Sequence, residues 1–364
     1  MDIKKATGAY EAWLAARIPL VKPDLDFKHQ RMTEGAFPFL RATFYRWVQV
    51  WPEVCPELAD GRLVLGVGDL HVENFGTWRD SEGRLIWGVN DFDEACRLPY
   101  TNDLVRVAVS AALAVKANGL TCDPADLCDA ILAGYQEGME KGGRPFVLAE
   151  QHRWLRDLAM SDLRDPTQYW DKLERLPTVG QTLPPTVRAA LIQTLPERRL
   201  SFWVVHRQAG LGSLGRRRFT ALAEWGGGKI AREAKELRVS AWCWEKAERK
   251  DQGLFYQAAI DRAVRVPDPM TWVAGHWLVR RLAPDCSRIE LSSLPRSEDE
   301  LRLVRAMGWE TANVHLGTKG AARTVLADLK RRPARWLRKA MEAMTKATVE
   351  DWKTWAESGR SGSL

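Results

Sequence analysis

The sequence predicts an α+β fold in two lobes, a larger one mostly helical and a smaller one rich in β-strand. Three observations lead to that expectation. A chain of 364 residues exceeds what one ordinary core accommodates. Amphipathic helical spacing dominates much of the chain before residue 200 and returns after Glu298. Between residues 201 and 285 the pattern turns to short alternating apolar runs broken by glycines. The implied organisation is a first segment over 1–200, a β-rich segment over 201–285, and a helical segment over 286–364 that returns to the first.

Taken in order, Tyr10 to Arg17 reads as a short helix followed by a Pro-containing linker. The aromatic run FPFLRATFYRWVQVW, Phe37 to Trp51, reads as one helix carrying Arg41 and Arg46. RLVLGV, Arg62 to Val67, is a buried strand between glycines. The DSEG turn leads to a second strand, Leu85 to Val89. A helix from Leu104 to Ala117 stops at Asn118-Gly119. Another opens at Asp123-Pro124, with Asp123 as N-cap and Leu127, Ile131, Leu132 and Tyr135 as its apolar face. Residues 141–200 suggest short helices and loops. SFWVVHRQ and RRFTALAEW read as strands around AGLGSLG, and KIAREAKELRV suits strand or helix. Trp242 to Val264 reads as helix, 276–282 as strand, and the chain beyond Glu298 as helix. Trp336, Ala340, Ala343 and Ala347 make a stripe there, and Ser358 to Leu364 a frayed tail.

Composition excludes several classes. No apolar run approaches a membrane span, and the N-terminus lacks the apolar stretch of a secretory signal. Six scattered cysteines form no CxxC pair, which suggests reduced thiols in a cytoplasmic protein and no structural zinc. A net charge of +7 is mild and suits a solvated surface better than a nucleic-acid footprint. Seventeen tryptophans, spread without a period, belong in the core or between lobes.

The chemistry concentrates in GVGDLHVENFGTW, Gly66 to Trp78, and GVNDFDE, Gly88 to Glu94. Asp69 and Asn74 lie in a loop after one strand, Asp91 and Asp93 at the end of the next. Carboxylate and amide oxygens are what a hard cation such as Mg²⁺ prefers. Phosphoryl transfer needs one carboxylate to take the nucleophile's proton, and an Asp and an Asn to hold metal against phosphate. A capped turn, with Asp69 and Asn74 serving backbone donors, explains the first motif but not the second. Asp103, near the start of a helix, suits a structural role better than substrate contact.

These motifs look like the catalytic and metal loops of the aminoglycoside phosphotransferases and choline kinases, within the protein-kinase-like superfamily. More narrowly the chain resembles a bacterial family called domain of unknown function 2252, through FPFLRAT, GDLHVENFG, NDFDEA, PYTNDLVRVAVS and GLGSLG, over roughly residues 30–320. The resemblance implies a protein-kinase-like fold. It implies Asp69 as catalytic base with His71 supporting its loop, Asn74 and Asp91 as metal ligands, and Asp93 assisting at the metal.

Gly210, Gly212 and Gly215, with Ser213 between them, spell G-x-G-x-x-G between two strands. A dinucleotide fold needs that loop to open a helix. Strand, glycine loop, strand is the kinase arrangement, in which the loop covers ATP phosphates and a lysine on the third strand holds them. Lys235 stands at the right remove, and Lys229 is the alternative in the turn. Glu245 and Glu248 are the acids offered to that lysine by helical spacing, with Gln257 further on. The glycine loop lies some 140 residues after Asp69, the reverse of the kinase order, which points to circular permutation. His315 then packs near the catalytic loop as a buried or capping residue.

The leading expectation is therefore an ATP- and Mg²⁺-dependent phosphotransferase acting on a small hydroxylated molecule or a protein, with Arg41 and Arg46 as possible anion contacts. Its alternatives are a non-catalytic nucleotide-binding protein and an AMP-transferring relative of the same fold. A metallophosphoesterase would also want a GNH[DE] motif, which the chain lacks.

Overall fold

The computed structural model describes residues 1–120, 122–161, 165–180, 183–246, 253–286, 288 and 297–361. Among the described residues it is a mixed α and β structure with three small antiparallel sheets. Asp2 caps the first helix, Ile3–Ala15, by accepting the Lys5 N–H at 2.9 Å. The expected linker is instead a second helix, Lys22–Thr33. Pro23 falls in its first turn, where the missing N–H has no helical partner to lose. The aromatic run forms two helices, Ala36–Ala42 and Phe44–Val54. They part at Thr43, whose hydroxyl donates to the Phe39 carbonyl at 2.7 Å.

Strand β1 (Leu63–Gly66) leads into the first motif. That motif ends in a strand which the sequence reading passed over, β2 (Phe75–Arg79), because Gly76 interrupts its pattern. β3 (Leu85–Val89) returns beside β2 with Phe75 opposite Val89. Asp80 closes the turn by accepting the N–H groups of Glu82 and Arg84. β4 (Cys96–Pro99) pairs with β1, and β5 (Phe146–Val147) with β3. The two motifs thus leave adjacent strand ends, and the Asn90 N–H donates to the Asn74 carbonyl at 2.9 Å.

The third sheet is built from β6 (Trp203–Val205), β7 (Arg218–Trp225), β8 (Gly228–Glu236), β9 (Trp272–Ala274) and β10 (Trp277–Leu282), in the order β6-β7-β8-β10-β9. β8, ambiguous from its pattern, is a strand because β7 and β10 pair with both its edges. Enclosed on both faces, it lacks the polar alternation that would have marked it. Helices Pro166–Glu174 and Pro185–Thr194 join the clusters that cover this sheet, through Tyr169 and Leu173 and through Val187, Ala190 and Leu191. The β-rich unit therefore draws on chain from before residue 201.

The main core joins helices Phe44–Val54, Tyr100–Ala117, Pro124–Lys141, Ser297–His315 and Trp336–Ser361 around β1 to β4. Pro124–Lys141 and Ser297–His315 meet so closely that a Cβ at Gly308 would stand 2.1 Å from the Ile131 carbonyl oxygen. The helix expected over 242–264 appears as Ala241–Lys246 and Tyr256–Arg262, and both supply residues to this core. No helix among the described residues is long and apolar enough to cross a membrane. None of the six cysteines forms a disulfide among the described residues. The end of the expected frayed tail, 362–364, lies outside the described residues, and the chain before it is helical to Ser361.

Candidate active site

A cleft of about 590 Å³ is lined by Asp69, His71, Asn74, Asp91 and Asp93 from the two acidic motifs and by Gly210, Gly212 and Ser213 from the glycine loop. This volume lies within the range of small-ligand pockets. Residues some 140 positions apart in sequence therefore face one space.

Asp103 builds the floor. It lies in the first turn of helix Tyr100–Ala117 and is fully buried. Its carboxylate accepts the N–H groups of Val67 and Gly68 at 2.7 and 2.9 Å, and it meets His315 Nε2 at 2.9 Å. His315 in turn meets the Tyr135 hydroxyl at 2.8 Å. Asp103 and His315 are thus braces beneath the loop, and Asp103 serves the end of β1 rather than its own helix.

Asp69 stands on that floor. Arg106, one turn after Asp103, donates from Nε to Asp69 Oδ1 at 2.9 Å and from Nη2 to the same oxygen. The guanidinium lies between the Phe44 and Trp47 rings and also donates to the Leu40 carbonyl. Burial pushes the Asp69 carboxyl up to about 7 against the pull of Arg106. Its other oxygen, Oδ2, faces the glycine loop, 3.2 Å from where a Cβ of Gly212 would sit.

His71 is a support. Its ring Nδ1 accepts the Glu73 N–H at 3.2 Å, and burial, with Arg41 and Arg106 nearby, keeps the imidazole neutral, well below its ordinary value. The Asn74 side-chain oxygen accepts the His71 N–H at 2.7 Å, the local capping that a crowded polar turn predicts. A carbonyl oxygen retains a second lone pair for another partner.

The acids after β3 meet Lys235 of β8. Its Nζ lies 2.7 Å from Asp93 Oδ1 and 3.4 Å from Asp91 Oδ1. Lys235 is 1% exposed and sits behind the two carboxylates, not at the cleft wall. Burial opposes it, yet Lys235 and Arg280 hold the Asp91 carboxyl below its ordinary value, whereas burial and the adjoining Asp91 raise that of Asp93. Of the two helix acids offered by spacing, Glu245 does not fill the partner role. It is exposed and accepts from Gln49 at 3.1 Å, and Glu248 lies outside the described residues. Gln257 lines the cleft but is bonded to Val273 and Asp261. Lys229, the alternative lysine, pairs with Glu174 away from the cleft.

Among the described residues no three His, Cys, Asp or Glu side chains converge into a metal cluster of their own. Asn74, Asp91 and Asp93 nevertheless offer an all-oxygen set of the kind Mg²⁺ takes. Asp93 Oδ1 is engaged by Lys235, its Oδ2 is buried without a hydrogen bond, and the Asp91 side chain is 29% exposed at the cleft. This donor set fits a hard cation that also draws ligands from a bound phosphate.

In the glycine loop, Ser213 Oγ donates to the Gly210 carbonyl at 3.1 Å and receives Arg218 Nη2 at 3.1 Å, so its hydroxyl is used within the loop. Of the two arginines of the aromatic run, Arg41 lines the cleft and pairs with Glu73 at 2.7 Å, while Arg46 ties to Asp351 of the last helix at 2.7 Å. Sequence reasoning missed Arg106, Arg216, which pairs with Glu94 at 2.9 Å, and Lys28. The available signal for Arg106 was a lone charge three residues after Asp103 in an otherwise apolar helix stretch.

Residues 20–168 match the model of a family described as an uncharacterized protein conserved in bacteria, DUF2252. The match contains FPFLRAT, GDLHVENFG, NDFDEA and PYTNDLVRVAVS and stops short of the glycine loop. No curated protein and no solved structure matches the chain.

Proposed function

We propose that the cleft is the active site of an ATP- and Mg²⁺-dependent phosphotransferase with a circularly permuted, protein-kinase-like arrangement. The observation that carries this reading is the convergence on one cleft of the Asp69 loop, the Asp91 and Asp93 strand end backed by Lys235, and the Gly210–Gly215 loop. Each is a part that phosphoryl transfer to a hydroxyl requires, and chain order is irrelevant to their spatial relation.

In this reading Asp69 takes the acceptor's hydroxyl proton as the hydroxyl oxygen bonds to the γ-phosphorus and the bond to ADP breaks. A carboxyl at about 7 is suited to that role near neutral pH. Arg106 occupies Oδ1 and leaves Oδ2 as the basic oxygen facing the cleft. Asp91, Asp93 and Asn74 would hold Mg²⁺, which neutralises phosphate charge when bound. Lys235 keeps the two acids from repelling a triphosphate and acts on the nucleotide through them.

Titration of ATP with Mg²⁺, followed by calorimetry or thermal shift, tests the reading. Metal-dependent binding is expected, surviving Asp69→Ala and weakening about tenfold or more in Asp91→Ala and Lys235→Ala. Binding that all three changes leave alone would remove the site assignment. Wild-type transfer by Asp69→Ala would remove the base.

A further inference from the structure

The glycine loop is tied to the helical part of the protein at several points. The Val21 N–H donates to the Gly215 carbonyl at 2.9 Å. Gly215 has φ +94°, and a Cβ there would stand 2.4 Å from Leu25 Cδ2, so both backbone and space require glycine. Asp24, 2% exposed, meets His206 Nε2 at 3.0 Å and accepts from Gln208 Nε2 at 2.9 Å, just ahead of the loop. Lys28, 3% exposed, donates from Nζ to the Gly212 carbonyl at 3.3 Å. The two leucines of the loop, Leu211 and Leu214, are buried with Ile3, Met32 and Phe39. Val21, Asp24, Leu25, Lys28 and Met32 all belong to helix Lys22–Thr33 or its N-cap.

We infer that this helix fixes the glycine loop over Asp69, with Lys28 as a positioning residue that acts on the nucleotide site through the Gly212 carbonyl. The inference rests on the reading of the cleft as a nucleotide site. A buried ammonium is costly, and an apolar side chain of the same length would pack among Tyr45 and its neighbours with less penalty. What the ammonium adds is a donor to Gly212, at the point where the loop comes nearest Asp69. Burial pushes the Lys28 ammonium down to about 8, the direction an apolar setting imposes on a cation. The loop is therefore a fixed strap. Lifting it would expose both leucines and break the Asp24 and Lys28 contacts, so a nucleotide enters with the strap in place.

Hydrogen exchange of residues 209–216 in the full chain, paired with titration of ATP plus Mg²⁺, tests this. The variants are Lys28→Met, Asp24→Asn, Lys28→Arg and, as a control on the exposed side of the same helix, Lys22→Ala. Lys28→Met and Asp24→Asn are expected to speed loop exchange about tenfold while helix Tyr100–Ala117 stays protected. Lys28→Met is expected to weaken ATP binding about tenfold. Lys28→Arg, which keeps a donor, restores slow exchange, and Lys22→Ala matches wild type. Unchanged loop exchange in both Lys28→Met and Asp24→Asn overturns the inference, as does a wild-type loop that already exchanges without protection. Faster exchange with undiminished ATP affinity overturns the positioning role of Lys28. Faster exchange in a protein whose wild type binds no ATP upholds the strap and removes the nucleotide reading.

Discussion

Asp69, mostly buried with its side chain 16% exposed, and Glu233, fully buried, are both carboxylates set against arginine, one in the loop after β1 and the other on β8. They are driven in opposite directions. Asp69 has one arginine, and burial outweighs it, raising the carboxyl to about 7. Glu233 is fully buried, but Arg218, Arg280 and Arg207 surround it and hold it well below its ordinary value. The difference separates two uses of the same group. A carboxylate saturated with cations is locked in its charged form and fastens β7, β8 and β10 together. One left short of cations and open to a cleft stays near the point where it can take and release a proton.

The largest expected effect tests the chemical half of that contrast. Asp69→Asn keeps an oxygen for Arg106 and is expected to lower transfer about 10²–10⁴-fold in single-turnover assays, with ATP affinity nearly unchanged. Glu233→Gln tests the structural half. It leaves three arginines facing a neutral amide and is expected to cost about 3–5 kcal/mol in urea unfolding. A loss below about 1 kcal/mol would mean that the cluster is solvated rather than buried.

Titration separates the pair further. In its proposed role as base Asp69 must be deprotonated, so the transfer rate is expected to rise with pH up to about 7 and then level. Because Arg106 lowers the Asp69 carboxyl, Arg106→Gln moves that limb upward by about 1–3 pH units. The stability signs are opposite. Asp69 is raised above its ordinary 3.8, so its contribution is full below that value and is lost as pH rises through 7. Glu233 is depressed, so its contribution is full above its ordinary 4.5 and is lost as pH falls through its folded value. Glu233→Gln should therefore flatten the acid side of the stability profile, and Asp69→Asn the slope approaching neutrality.

The smallest effect is expected from Gly212→Ala. Its Cβ would stand 3.0 Å from the Arg41 carbonyl oxygen and 3.2 Å from Asp69 Oδ2, so the strap must shift by a few tenths of an ångström. Stability should change by about 1 kcal/mol, while transfer falls about threefold to tenfold because the displaced atoms adjoin the proposed base. Equal losses in both would place Gly212 outside the chemistry.

Much of the site was legible because its residue types are unusual where they occur. Two acids and an amide at strand ends, and a glycine loop flanked by alternating strands, carry their own spacing rules. β2 was not legible, since Gly76 breaks its pattern and its pairing with β3 is what makes it a strand. Helix Lys22–Thr33 was hidden by Pro23, which reads as a breaker until its first-turn position is known. The acids that meet Lys235 were not legible, because helical spacing offers Glu245 and Glu248, whereas Asp91 and Asp93 lie 144 and 142 positions earlier.

By itself the sequence determined the mixed α and β character, the strand-end acids, the glycine loop and the absence of a long apolar helix. These depend on local pattern and composition, which a chain carries wherever it is read. Only the tertiary structure decided that the glycine loop lies against Asp69, that Arg106 and burial together set that carboxyl near 7, and that Lys28 reaches Gly212. Such facts depend on burial and on contacts between distant segments. The free energy of a charge is set by what surrounds it in space, and neighbours in sequence do not specify that.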